Sequence, residues 1–268
     1  MSRRDINAIM DCIVRRVAAA QVAAVPEVLH SKAQALRAAG QYAAAAALLQ
    51  QATCRGHLPS CADLADMLLW GREGVAQDHK RAFELVEEGA RLGCHHCQGV
   101  MACCYVSSYG CSQDAARSLL FARASAAKGS KYGQMSLGRL YSGVGGVARD
   151  WLQEVGAEGG VVRDLAAAIA QYHLAAAQGY DVAQAEFGYL HFNGNRYIPQ
   201  NFSESMRWLK LAAVQGNYMA MGMVGWYYEN GFNRGGVAAD RAEAIRWYKR
   251  AVAAGHSEVA DDLKRLGV

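Results

Sequence analysis

Eight cysteines crowd the N-terminal half of this 268-residue chain: Cys12, Cys54, Cys61, Cys94, Cys97, Cys103, Cys104 and Cys111. Cys94-His95-His96-Cys97 has the Cys-x-x-Cys spacing through which two thiolates hold one zinc ion. His57 and Cys61 stand in nearly equivalent positions earlier in the chain, so Cys94, Cys97, His57 and Cys61 are the candidate metal ligands. A second complete knuckle is missing. A zinc site and a ridge of separate loop cysteines and histidines therefore both fit. Signatures of nucleophilic, phosphate-loop and metalloprotease chemistry are absent: no Gly-x-Ser-x-Gly, no P-loop, no His-Glu-x-x-His. Gly143-Val144-Gly145-Gly146 is glycine-rich but reads as a turn. No catalytic residue and no cofactor is expected.

Composition narrows the remaining classes. The net charge is +4, from 28 basic and 24 acidic residues that are interspersed, which argues against nucleic acid as a partner. No apolar run nears the roughly 20 residues that span a bilayer. The start, Met1 to Val25, mixes four arginines with Asp5 and Asp11, so a secretory signal is not expected. The expected location is cytoplasmic, with reduced thiols. Apolar residues make up 52% and charged residues 19%, a globular balance. Pro26, Pro59 and Pro199, the only prolines, fall between helical patterns.

The elements that must position these side chains repeat. In Ala242 to Gly255, the residues Ala242, Ile245, Tyr248 and Val252 share one helical face, and Ala244, Trp247 and Ala251 form a second apolar stripe. Such a helix must be sandwiched between neighbours. Glycines close the helices of this type at Gly56, Gly93, Gly129, Gly179, Gly216 and Gly255, with spacings of 37, 36, 50, 37 and 39. Before each helix stands an N-cap residue: Asp78, Asp114, Asp150, Asn201 or Asp240. The outlying spacing has a cause. Gly146-Val147-Ala148-Arg149-Asp150 recurs 14 residues later as Gly160-Val161-Val162-Arg163-Asp164, and removing 14 from 50 restores 36. Residues 148–161 are thus an insertion, and Asp164 is the expected cap.

Leu137-Gly138-Arg139-Leu140-Tyr141, with the Gly145–Asp150 loop and Ile169 to Gly179, resembles the Sel-one-like repeats, relatives of the tetratricopeptide repeats. Four further copies run Leu64 to Gly93, Met101 to Gly129, Phe187 to Gly216 and Val224 to Gly255. The first and second copies depart from the family, with Ala65 and Ala102 where it has glycine. The resemblance implies an all-α, right-handed α-solenoid of tandem antiparallel helix pairs. Its expected divisions are an N-terminal helix (1–30), a tetratricopeptide-like pair (31–60), five repeats (61–96, 97–132, 133–182, 183–219, 220–259) and a C-terminal capping helix (260–268). Gly138, Gly188 and Gly225 are expected to let paired helices approach closely.

The resemblance also implies a non-catalytic scaffold or adaptor that holds a protein or peptide partner in its concave groove. The register after each packing glycine puts Asp66, Cys103, Arg139, Tyr189 and Trp226 there, with Phe192 and Glu229 one turn later and Met135 one turn earlier. Met135, Arg139, Tyr189, Phe192, Trp226 and Glu229 are the expected partner-binding residues, since aromatics and arginine dominate binding hot spots. The competing reading is that these rings pack between helices. A metal- or redox-responsive protein using the cysteine-rich half is the alternative function. Some cysteine-rich relatives are proposed to bind or hydrolyse β-lactams, but no motif of theirs carries over. Secreted relatives join cysteines seven apart, as Cys54 and Cys61 are, yet the next repeat has Arg91 and Gln98 in those places.

Overall fold

A computed structural model of the chain describes residues 25–143, 164–232 and 237–268. The expected N-terminal helix over 5–24, Asp150, and the insertion 148–161 with Trp151 lie outside them. Among the described residues the fold is all-helical, with two isolated bridges (Arg72 with Val75, Phe232 with Val237) and no strand.

The helices are α1 (25–38), α2 (Tyr42–Thr53), α3 (Leu58–Trp70), α4 (His79–Arg91), α5 (His95–Ser107), α6 (Ala115–Ala127), α7 (Lys131–Ser142), α8 (Leu165–Ala177), α9 (Asp181–Asn193), α10 (Phe202–Val214), α11 (Tyr218–Asn230), α12 (Arg241–Ala253) and α13 (Ala260–Arg265). From α3 to α12 they pack as five consecutive pairs, and α13 covers the end of α12. The second helix of each pair starts on the expected cap. Asp78, Asp114, Asp164 and Asn201 accept the backbone N–H three residues on, at 2.9–3.0 Å, and Asp240 accepts two such groups. Each such acceptor satisfies a donor that a helix start leaves free. Asp164 caps α8, as the 36-residue period requires. Glycines at 56, 93, 129, 179, 216 and 255 all have positive φ, which stops each helix at fixed length.

Two of the helical glycines mark close contacts within a pair. A Cβ on Gly188 would stand 2.8 Å from Leu209 Cγ, and one on Gly225 would stand 2.7 Å from the Tyr248 ring.

Two expectations need correction. Pro59 lies in the first turn of α3, where no intrahelical hydrogen bond is lost, rather than between helices. Pro26 is also helical. In α12 the buried residues are Ala244, Tyr248 and Ala251, while Ala242 and Val252 are exposed. The helix is sandwiched along one stripe only, because the short α13 covers little of its outer side.

Candidate partner-binding site

The first helices of the pairs carry the expected groove residues, and the structure divides these into two groups. Met135 is 1% exposed and belongs to the core. Arg139 is also buried, with its guanidinium 4.9 Å above the Trp70 ring, 3.0 Å from Ser107 Oγ and 3.6 Å from Glu186. Burial opposes its charge, but Cys103 and Glu186 outweigh that effect and keep the group protonated.

Near Arg139, among the first helices of the N-terminal repeats, lies a buried polar cluster that sequence reasoning missed. Asp66 Oδ1 accepts from Tyr180 Oη at 2.6 Å and from Trp70 Nε1 at 3.0 Å. Asp63 accepts from Tyr132 and Gln34, and Arg37 of α1 lies 3.4 Å from Asp63 and 3.5 Å from Asp66. Arg72 pairs with Asp181 at 2.7 Å, with both side chains almost wholly buried. The α3 segment is therefore clasped to the start of α9, three repeats along the stack. Burial alone would raise the Asp63 carboxyl, but Arg37 and Lys131 hold it below the usual carboxylate range. For Asp66, burial prevails over Arg37, Asp181 adds to it, and the carboxyl is raised. One signal was visible in the sequence. Asp63 and Asp66 sit one turn apart among Ala62, Leu64, Ala65, Met67 and Leu68, and buried carboxylates require internal partners.

The C-terminal half is more open. α3 packs on α5 and α5 on α7, whereas α7 with α9, and α9 with α11, make no comparable contact. Tyr189, Phe192 and Trp226 are each half-buried against the second core cluster. Phe192 meets Trp226 edge-on at 5.4 Å, and Trp226 lies 5.0 Å from Phe232. Burial, with Glu186 nearby, pushes the Tyr189 hydroxyl up to about 12, so it stays a hydrogen-bond donor at neutral pH. Glu229 is engaged within the chain, accepting from Tyr248 Oη at 2.8 Å and pairing with Arg265 of α13. A cavity of about 400 Å³ opens where α1 faces the starts of α7 and α9, with Arg37, Lys131, Tyr180 and Asp181 in its lining.

The metal candidates also separate. Cys61, Cys94 and Cys97 are near enough to perturb one another's thiols, while the Cys97 sulfur donates to the Leu58 carbonyl at 3.4 Å. His57 points elsewhere, bonding Ser60 Oγ at 2.7 Å beside the His30 ring. Among the described residues no group of three or more His, Cys, Asp or Glu side chains is arranged to hold a metal ion. The seven described cysteines, Cys54 and Cys61 included, are free thiols. None of the described helices is long and apolar enough to cross a membrane.

Comparison with known proteins follows the same repeats. The family model of the Sel1 repeat matches residues 58–94, 96–130, 132–180, 181–217 and 219–256. A Sel1 repeat protein from Oxalobacter formigenes is 24% identical, with 89% of this chain and 92% of that one aligned at a TM-score of 0.53, which shows the fold. Also similar are c5321, a protective antigen of uropathogenic Escherichia coli strains with an SLR fold (22% identity, 91% of this chain, 57% of that one, TM-score 0.38), and the immunity protein Pa5087 of Pseudomonas aeruginosa (17%, 87%, 83%, 0.48). No curated protein matches the chain.

Proposed function

The chain belongs to the Sel1 repeat family, and from that premise we propose that it is a non-catalytic scaffold that binds a protein or peptide partner on the C-terminal half of its concave side. Repeats of this family serve protein interaction. The observation that carries the reading is the contrast between the two halves. Arg139, Met135 and Cys103 are sealed beneath the chain's own polar cluster, while Tyr189, Phe192 and Trp226 keep partly exposed rings on successive first helices. Partly exposed aromatic rings set in packed surroundings are the side chains from which binding hot spots are built.

In this reading Tyr189, Phe192 and Trp226 touch the partner. Arg139, Met135 and Glu229 act beneath them, Arg139 by fixing Glu186 and Glu229 by fixing Tyr248 and the closing helix α13. A partner segment with an apolar side chain for the rings and a basic group for Glu186 fits this surface.

The test is affinity capture from the native source with wild type, a Tyr189→Ala, Trp226→Ala double variant, and a convex-face control, Leu120→Ala. Leu120 is 66% exposed and lies on a second helix. Circular dichroism first establishes that each variant is folded. The double variant loses the partner that wild type and control both retain. Retention by all three removes the concave rings from the interaction.

A further inference from the structure

The first residue after each helix-stopping glycine is the N-cap of the next first helix: His57 for α3, Cys94 for α5, Ser130 for α7, Tyr180 for α9 and Asn217 for α11. His57 and Asn217 accept a backbone N–H there, at 3.3 and 3.0 Å. Cys94 occupies this anion-favouring place with a thiol that makes no short cap bond. Cys97, three residues on in the first turn of the same helix, is fully buried and donates to the Leu58 carbonyl at 3.4 Å, so the two cysteines share the start of α5. Cys61 is 4% exposed and donates to the Leu85 carbonyl at 2.7 Å. Only Cys94 of the three is half-exposed.

We propose that Cys94 and Cys97, backed by Cys61, form a redox centre that undergoes thiol–disulfide exchange with a small disulfide, the chemical class that supplies the oxidant. The Cys94 thiolate attacks one sulfur of R–S–S–R, forming a mixed disulfide and releasing one thiolate. Cys97 then attacks Cys94 Sγ, expels the second thiolate and closes the Cys94–Cys97 bond. The two thiol protons end on two R–SH molecules, and the two electrons pass to the substrate disulfide. The division of labour follows from access: Cys94 meets the substrate, and buried Cys97 resolves. The neighbouring Cys97 thiol, with the backbone N–H groups of Cys97 and His96 at the helix start, pulls the Cys94 thiol down to about 6 against the opposing effect of burial.

The test treats the full chain with glutathione and its disulfide, quenches with a maleimide, and maps the cysteines by proteolysis and mass spectrometry. Three results are expected. Wild type gives a Cys94–Cys97 disulfide, Cys97→Ser accumulates glutathione on Cys94, and Cys94→Ser, which keeps a good N-cap, forms neither. In wild type at pH 7, iodoacetamide labels Cys94 about tenfold or more faster than exposed Cys54. The proposal is overturned if Cys94 is labelled no faster than Cys54, if oxidation joins only other cysteines, or if stoichiometric zinc binding to the native protein blocks Cys94.

Discussion

Arg72→Ala is the perturbation that most directly tests the clasp. The substitution removes one member of an ion pair whose side chains are 1% and 3% exposed, and among the described residues leaves the Asp181 side chain the Asn217 Nδ2 donor at 3.4 Å. It also takes away the donor that bonds the Gly71 carbonyl at 2.6 Å. Removing one partner of a buried pair costs about 3–5 kcal/mol, because the remaining charge stays desolvated. The remaining contact with Asn217 argues for the lower end, about 3 kcal/mol. For a chain of this size that corresponds to a melting temperature lower by about 6–12 °C. The assay is urea unfolding followed by circular dichroism at neutral pH, with Arg72→Met, Asp181→Leu as the companion variant. An apolar pair of similar volume leaves no charge behind, so the double variant should lose less than Arg72→Ala alone. A loss below about 1 kcal/mol for Arg72→Ala, the level of a solvated pair, would refute the buried clasp.

Two further outcomes are expected. Gly188→Leu should destabilise the fold by about 2 kcal/mol or more, since even its Cβ would stand 2.8 Å from Leu209 Cγ; an unchanged thermal midpoint would sink the close-contact argument. His96 should make stability depend on pH: burial lowers its pKa to about 4, so the neutral ring beside Ser130 is the native form. Because the folded pKa lies below the ordinary value of about 6.5, the contribution is complete above that value and is lost as pH falls toward 4. The ring is only part-buried, and about 1–2 kcal/mol is expected after allowance for solvent screening. Denaturation midpoints between pH 7 and 4 should fall less in His96→Gln than in wild type.

The repeat was legible because its signals are local. A cap at Asp164, a left-handed stop at Gly179 and a close contact at Gly188 are each decided within a helix pair, and each stands where spacing placed it. What the sequence did not show is how tightly the stack curls. Small rotations between neighbouring repeats accumulate, and their sum carries Tyr180 and Asp181 back to Trp70 and Arg72. No periodicity encodes that return. The register after each packing glycine treats all repeats alike and cannot see that return, and Met135 and Arg139 are buried while Tyr189 and Trp226 are half-buried. The three sulfurs illustrate the same limit. Cys94 and Cys97 announce themselves by spacing, but Cys61 joins them only through the packing of α3 beside α5.

The bond from Arg72 to Asp181 joins residues 109 positions apart. In an ordinary solenoid, contacts stay between neighbours, and units can be added or removed during evolution with little penalty. Here the register between the two ends of the clasp fixes the number of units between them. Losing a whole repeat between α4 and α9 would preserve the period yet leave Arg72 and Asp181 facing the wrong partners. The long closure also makes part of the assembly non-local, which raises the chain entropy lost in forming the clasp. The molecule is thus modular in sequence but not in length.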